Sequence, residues 1–242
     1  MRHFSKPVVA FIQNDEAEWH DYPFIKHLSE FVQVVFKHTL PEEMDKEIDG
    51  CVLISPNSNK ESLLMDHLIN DQHVAIIEMA MIHQQENREH FLTKLFSLAH
   101  FRSVQETPSI QSLIQFQSEN KYLLMAYDQQ RQKELGRMVA KGNNRDIHNV
   151  YLAYKEVFYK LLGQAPSVGA NINVLSHIMG YFSEQLSRDE KEQFLSLLED
   201  YRKRQVPLSD PLKVLNRWVH QYDQKYLLMQ TFLQPYPEGL RS

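Results

Sequence analysis

A chain of 242 residues with 43% apolar side chains is long enough to bury one large core or two smaller ones. One cysteine, Cys51, excludes an internal disulfide framework and any metal site built from several thiolates of this chain. No apolar run approaches the roughly 20 residues of a membrane helix, and the start lacks the apolar length and small-residue cleavage site of a signal peptide, so a soluble cytoplasmic protein with no membrane partner is expected.

The net charge of -5 is unevenly spread. Residues 1–110 hold 9 Lys and Arg against 17 Asp and Glu, whereas residues 111–242 hold 17 against 14. The acidic half repels a phosphate backbone, and the weakly basic half accepts one if its cations gather on one face.

In chain order, Pro7 to Ile12, Phe31 to Phe36, Ile48 to Ser55 and His73 to Met79 are short β-branched apolar runs that predict buried strands. Between them, residues of about 22–30, 60–70 and 86–102 predict helices. This alternation indicates an α/β domain, three-layered around a mostly parallel sheet, over residues 1–106. Ligands in such folds bind beyond the carboxyl ends of the strands, where the "SPNSN" loop after Ile54 falls. The polar, proline-containing stretch "SVQETPSI" from Ser103 to Ile110 predicts a linker. Beyond it only helical periodicity occurs, over about 111–141, 147–163, 171–186, 188–204 and 210–233, so residues 107–242 predict an all-α domain. Ser187 to Glu190, "SRDE", is a capping box, and Asp210 before Pro211 is the expected N-cap of the last helix.

Cys51 lies mid-strand with no basic neighbour in sequence, the setting of a small buried hydrophobe rather than a reactive thiol. His83, Glu86 and His90 have the wrong spacing for a metal motif and are expected on a solvated helix surface. His177, flanked by apolar residues, is expected in the core. With seven glycines there is no phosphate loop, no dinucleotide fingerprint and no serine-hydrolase elbow. Basic and aromatic residues interleave in the second half: Tyr122, Arg131, Lys133, Arg137, then Arg202, Arg204, Arg217 and Trp218. Such a set offers phosphate contacts from the arginines and base stacking from Tyr122 or Trp218. By pattern alone a helical core of Tyr and Trp with solvated cations outside is the better fit.

From Lys121 onward the segments "KYLLMAYDQQRQKELGRMVA", "NINVLSHIMGYF", "LSRDEKEQFLSLLEDYR", "VPLSDPLKVLNRWV" and "YLLMQTFLQPYP" strongly resemble the YbgA-like helical domain of unknown function. The pattern includes the closing Gln230. Where that family is expected to carry histidines around its first helix, this chain has Gln117, Asn120 and Tyr127. The first half is similar to the iron-sulfur thiouracil desulfidase type of domain, through "IDGCVLISPNSN" (Ile48 to Asn59), "NREHFLTKLFSLAHFRSV" (Asn87 to Val104) and "VVFKHTLPEEM" (Val34 to Met44). That family holds its cluster with three cysteines, and the corresponding positions here are Asn14 or Asp15, Leu40 and Ser58. Neither a leucine nor a neutral serine replaces a thiolate, so the resemblance implies a domain that has lost its cluster, and no cofactor is expected.

Two-domain desulfidases of this build act on 4-thiouridine in tRNA. The resemblance therefore implies a non-catalytic protein that binds tRNA or another structured nucleic acid. One rival is an enzyme working without a cluster, with Asp15, Glu42, Glu78 and Ser58 around the strand ends as acid, base or nucleophile. Another is an adaptor with a protein partner, linked to DNA repair.

Overall fold

The protein is represented by a computed structural model that describes residues 4–12, 22–37, 48–53 and 73–241. The chain divides into two compact units that interleave along the sequence, where a single linear boundary near residue 106 is expected. One comprises Met1–Ser109, Ile147–Ala165 and Pro235–Ser242, and the other Ile110–Asp146 and Pro166–Gln234.

The first unit is built on four parallel strands, β1 (Val8–Ile12), β2 (Gln33–Lys37), β3 (Gly50–Leu53) and β4 (Ala75–Glu78), in the order β2-β1-β3-β4. All four fall where the apolar runs predict them; the inner strands β1 and β3 are buried at nearly every position, as strands covered on both faces are, while the edge strands β2 and β4 are buried less completely. Cys51 is fully buried on β3, beside Ala10 and Ile76 in register, the packing role its neighbours predict. Helix α1 (Pro23–Ser29) follows β1 and α2 (Gln85–Gln105) follows β4; the predicted helix at 60–70 lies outside the described residues.

Residues 91–99 of α2 are all buried. Gly50 permits that closeness, since a Cβ there would stand 2.6 Å from the Leu95 methyl and 3.2 Å from the Ala75 carbonyl. At the amino edge of the sheet, Asp49, 4% exposed, accepts from the Val8 amide at 2.9 Å and from Arg102 Nε and Nη2 at 3.0 and 2.8 Å. This pairing ties the end of α2 to the sheet and leaves neither carboxylate oxygen of a buried charge unsatisfied. Helix α6 (Ile147–Leu161) belongs to this unit, where Tyr151, Tyr154 and Phe158 gather on Phe101 with ring centroids 5.0 to 6.2 Å apart. The chain's last turn returns here as well: His27 Nε2 bonds the Gly239 carbonyl, and a Cβ at Gly239 would meet the Phe31 ring at 2.7 Å.

The second unit is all helical: α3 (Ile110–Glu119), α4 (Lys121–Tyr127), α5 (Gln129–Lys141), α7 (Val168–Met179), α8 (Arg188–Arg202), α9 (Ser209–Gln221) and the short α10 (Lys225–Leu228). The predicted continuous helix over 111–141 is three helices. It breaks at Asn120 and at Asp128, whose extended backbone and side-chain oxygen, accepting from the Gln130 and Arg131 amides at 2.9 Å, cap α5. Such a side-chain acceptor competes with the helical ladder. The Ser187–Glu190 capping box forms as expected. Asp210 is not an N-cap: α9 begins at Ser209, so Asp210 lies in its first turn, paired with Lys213 at 3.0 Å, and Pro211 still falls where no amide partner is needed.

Candidate nucleic-acid interface

Helix α5 turns Leu135 and Val139 inward, 0% and 6% exposed. At 100° per residue the opposite stripe carries Lys133, Arg137 and Lys141, all exposed. Their four-residue spacing sets successive Cα atoms about 6 Å apart along the axis, spanning about 12 Å. Among the described residues none of the three pairs with a carboxylate. Arg145, in the turn that follows, is exposed as well.

The other predicted phosphate contacts are differently placed. Arg131 is bound to Asp128, the cap of its own helix. Arg202 pairs with Glu199 at 3.5 Å, and Glu199 also takes Lys203 at 3.7 Å. Arg204 closes α8 in the left-handed conformation with φ 58°, and Arg217, exposed on α9, acts through space on Glu190, whose carboxyl is held below its usual pKa chiefly by the Ser187 amide and hydroxyl. Among the predicted arginines, Arg137 alone stands in a continuous unpaired stripe.

Neither predicted stacking residue offers an open ring. Trp218, 3% exposed, packs on Phe182 and Phe194 with centroids 6.0 and 5.1 Å away. Tyr122, 4% exposed, is hydrogen-bonded to the Tyr181 hydroxyl at 3.1 Å, and burial, then Tyr181, drives its pKa up. Helical phase accounts for Trp218, since it and Arg217 are adjacent in sequence and one turns inward as the other turns out; Tyr122 belongs to a run, 122–126, that is buried at every position. The same geometry corrects His177, which lies exposed on the outer stripe of α7 between inward-facing Val174 and Ile178.

Sequence reasoning misses Lys141, Arg145 and Tyr181. Lys141 extends the basic stripe of α5 and is legible by counting four residues on from Arg137, whereas Arg145 lies beyond the end of that helix. Tyr181 carries no such signal, because the residues that set its exposure come from distant parts of the chain.

In the α/β unit, Glu78 ends β4 beside Leu53 and is half-buried, while Asp15, Leu40, Glu42 and Ser58 lie outside the described residues. No group of three metal-binding side chains exists among the described residues. His83 and Glu86 are exposed as expected, but His90 is mostly buried on α2, and burial, with Lys94 second, lowers its pKa to about 4. No helix among the described residues is long and apolar enough to cross a membrane.

Residues 121–237 match the model of a family described as a protein of unknown function, DUF1722. The chain is also similar to the uncharacterized protein YbgA of Escherichia coli (strain K12), 25% identical over 148 residues, which cover 60% of this chain and 88% of that protein. The second half carries a YbgA-like domain of unknown function. No solved structure matches the chain. The YbgA-like domain contains the α5 stripe, the buried Trp218 and the Gln230 singled out in its closing motif. Gln230 is structural: 1% exposed, it accepts from the Tyr122 amide and donates to the Ser118 carbonyl. Asn120, at one of the departures from the family's expected histidines, is buried beside it, donating to the Phe116 carbonyl and accepting from the Thr231 hydroxyl.

Proposed function

We propose that this protein binds a structured nucleic acid, with tRNA the leading candidate, and has no catalysis of its own. The YbgA-like domain makes the contact along α5, and the α/β domain is a cluster-free relative of the desulfidases kept as scaffold. The observation that carries this reading is the stripe of Lys133, Arg137 and Lys141, three exposed cations in line without carboxylate partners among the described residues. Cations that serve only solubility sit comfortably beside carboxylates, as Arg188 and Glu192 do on α8 at 2.7 Å. A row left unpaired repels itself, and that cost falls when a polyanion lies along it and sheds its own counterions. The regular step along the helix matches a backbone of successive phosphates better than it matches one small anion. Likeness of the first half to enzymes acting on tRNA makes RNA the preferred polymer.

The test is a salt titration of tRNA binding by the full chain. Three phosphate contacts predict that replacing Lys133, Arg137 and Lys141 together by Gln lowers the slope of log K against log salt by roughly 2 to 3. Absence of salt-sensitive affinity for tRNA, or an unchanged slope in the triple variant, would overturn the proposal.

A further inference from the structure

Three tyrosines from separate parts of the helical unit meet at the start of α4. Tyr181, in the turn Gly180–Phe182, lies parallel to Tyr226 with centroids 6.2 Å apart and planes 21° from each other. Tyr122 stands edge-on to both, at 6.4 and 6.5 Å, and its hydroxyl meets that of Tyr181 at 3.1 Å. Tyr226 is held in turn by hydrogen bonds to Gln230 and Ser118, and burial raises its pKa. The neighbouring Phe182 is fully buried, which anchors the turn. Tyr181 is thus braced through its hydroxyl, through one ring face and through the backbone, yet it remains 39% exposed. Cations flank the cluster: Lys121 Nζ lies 5.4 Å from the Tyr122 ring centroid, and Lys225, exposed, precedes Tyr226.

We propose that Tyr181 is a stacking platform for an unpaired base, so that the nucleic acid bound by this protein presents a single-stranded loop or end to the three-tyrosine cluster. The proposal rests on the nucleic-acid reading above and adds a second contact of different chemistry. An aromatic ring already locked in place loses little conformational freedom on binding, and the exposed 39% of Tyr181 is offered to any base because every base has a π face. Lys121 and Lys225 supply charge for the phosphates on either side of the stacked base. Helix α4 has seven residues and is about 10 Å long, so the cluster at its start and α5 beyond its end are within reach of one oligonucleotide. The pairing of the two sites answers a question the α5 stripe leaves open, since cations alone do not distinguish duplex from single strand.

The experiment measures binding of the full chain to single-stranded octamers, in RNA and DNA form, each with normal bases or with abasic sites at the central positions. The intact protein is expected to favour the base-bearing octamer by roughly 10-fold. Tyr181→Leu should bring that ratio close to one without altering the salt slope, Tyr181→Phe should keep it, and the triple Gln variant of α5 should weaken both octamers while preserving it. An octamer carrying 2-aminopurine reports stacking on the unaltered protein by a change in fluorescence, which guards against misfolding of Tyr181→Leu. Equal affinity for base-bearing and abasic octamers overturns the stacking role and leaves the charge reading standing; no affinity for either octamer or for tRNA overturns both. The RNA and DNA arms show which polymer the cluster takes.

Discussion

Replacing Gln230 by Ala removes a side chain that joins the end of the helical unit to the junction of α3 and α4. Gln230 is 1% exposed; its Oε1 accepts from the Tyr122 amide at 3.3 Å and its Nε2 donates to the Ser118 carbonyl at 2.9 Å. Truncation leaves the buried Tyr122 amide and the part-buried Ser118 carbonyl without these partners, at about 1–3 kcal/mol each, with the longer bond at the low end, so the loss is about 2–4 kcal/mol. For a chain of this size the midpoint of thermal unfolding falls by roughly 5–15 °C, read by circular dichroism beside Gln193→Ala, an exposed control on α8. Gln230→Glu separates hydrogen bonding from shape. The protonated carboxyl donates to Ser118 as the amide did, whereas the ionised form turns lone pairs on that carbonyl, so the folded-state pKa rises above the ordinary value of about 4.3. Its stability is therefore close to that of the unaltered protein below about pH 4.3, is lost as the pH rises through the raised folded value, and stays flat above it. A Gln230→Ala midpoint within roughly 2 °C of the control, or a Gln230→Glu penalty independent of pH, would refute the reasoning.

Three further outcomes follow from the α/β unit. His90, with its pKa lowered by burial to about 4 from 6.5, contributes stability that is complete above pH 6.5 and is lost as the pH falls toward 4; the shift corresponds to about 3 kcal/mol, and His90→Gln should flatten this acid limb in denaturant titrations. Gly50→Ala sets a methyl against Leu95 and the Ala75 carbonyl, and should cost about 1–3 kcal/mol in urea unfolding with an unchanged m-value. Protein purified under strict anaerobiosis should hold no stoichiometric iron or sulfide, measured chemically and by visible absorption; a full cluster would contradict the inference from Asp15, Leu40 and Ser58.

The sheet was legible because its strands are short apolar runs, and the inner two, "VVAFI" and "GCVL", are buried at nearly every position, which leaves few alternatives for them. Helix ends were less so. Asp128 sits inside an otherwise helical stretch, and its capping role depends on an extended backbone that periodicity does not reveal. Candidate site residues failed or held by helical phase: Arg137 and Trp218 both come from basic-aromatic segments, yet Arg137 lies opposite the buried stripe of its helix and Trp218 lies within one. Tyr181 was invisible because its hydroxyl partner lies 59 positions away, a tertiary fact with no local signature.

The return of the last turn to the α/β unit sets an order of events during synthesis. His27 and Gly239 are 212 positions apart, so the cover over Phe31 can form only after Gly239 has been made. The aromatic set around Phe101 likewise waits for Tyr151, Tyr154 and Phe158. All four strands are thus synthesised well before the helix and the tail that complete their unit, and closing contacts so distant in sequence is slow. During that interval partly covered apolar surface is open to wrong partners. A chain that stops before Gly239 is expected to show this first as aggregation of the nascent protein, before any loss of helix in the material that does fold.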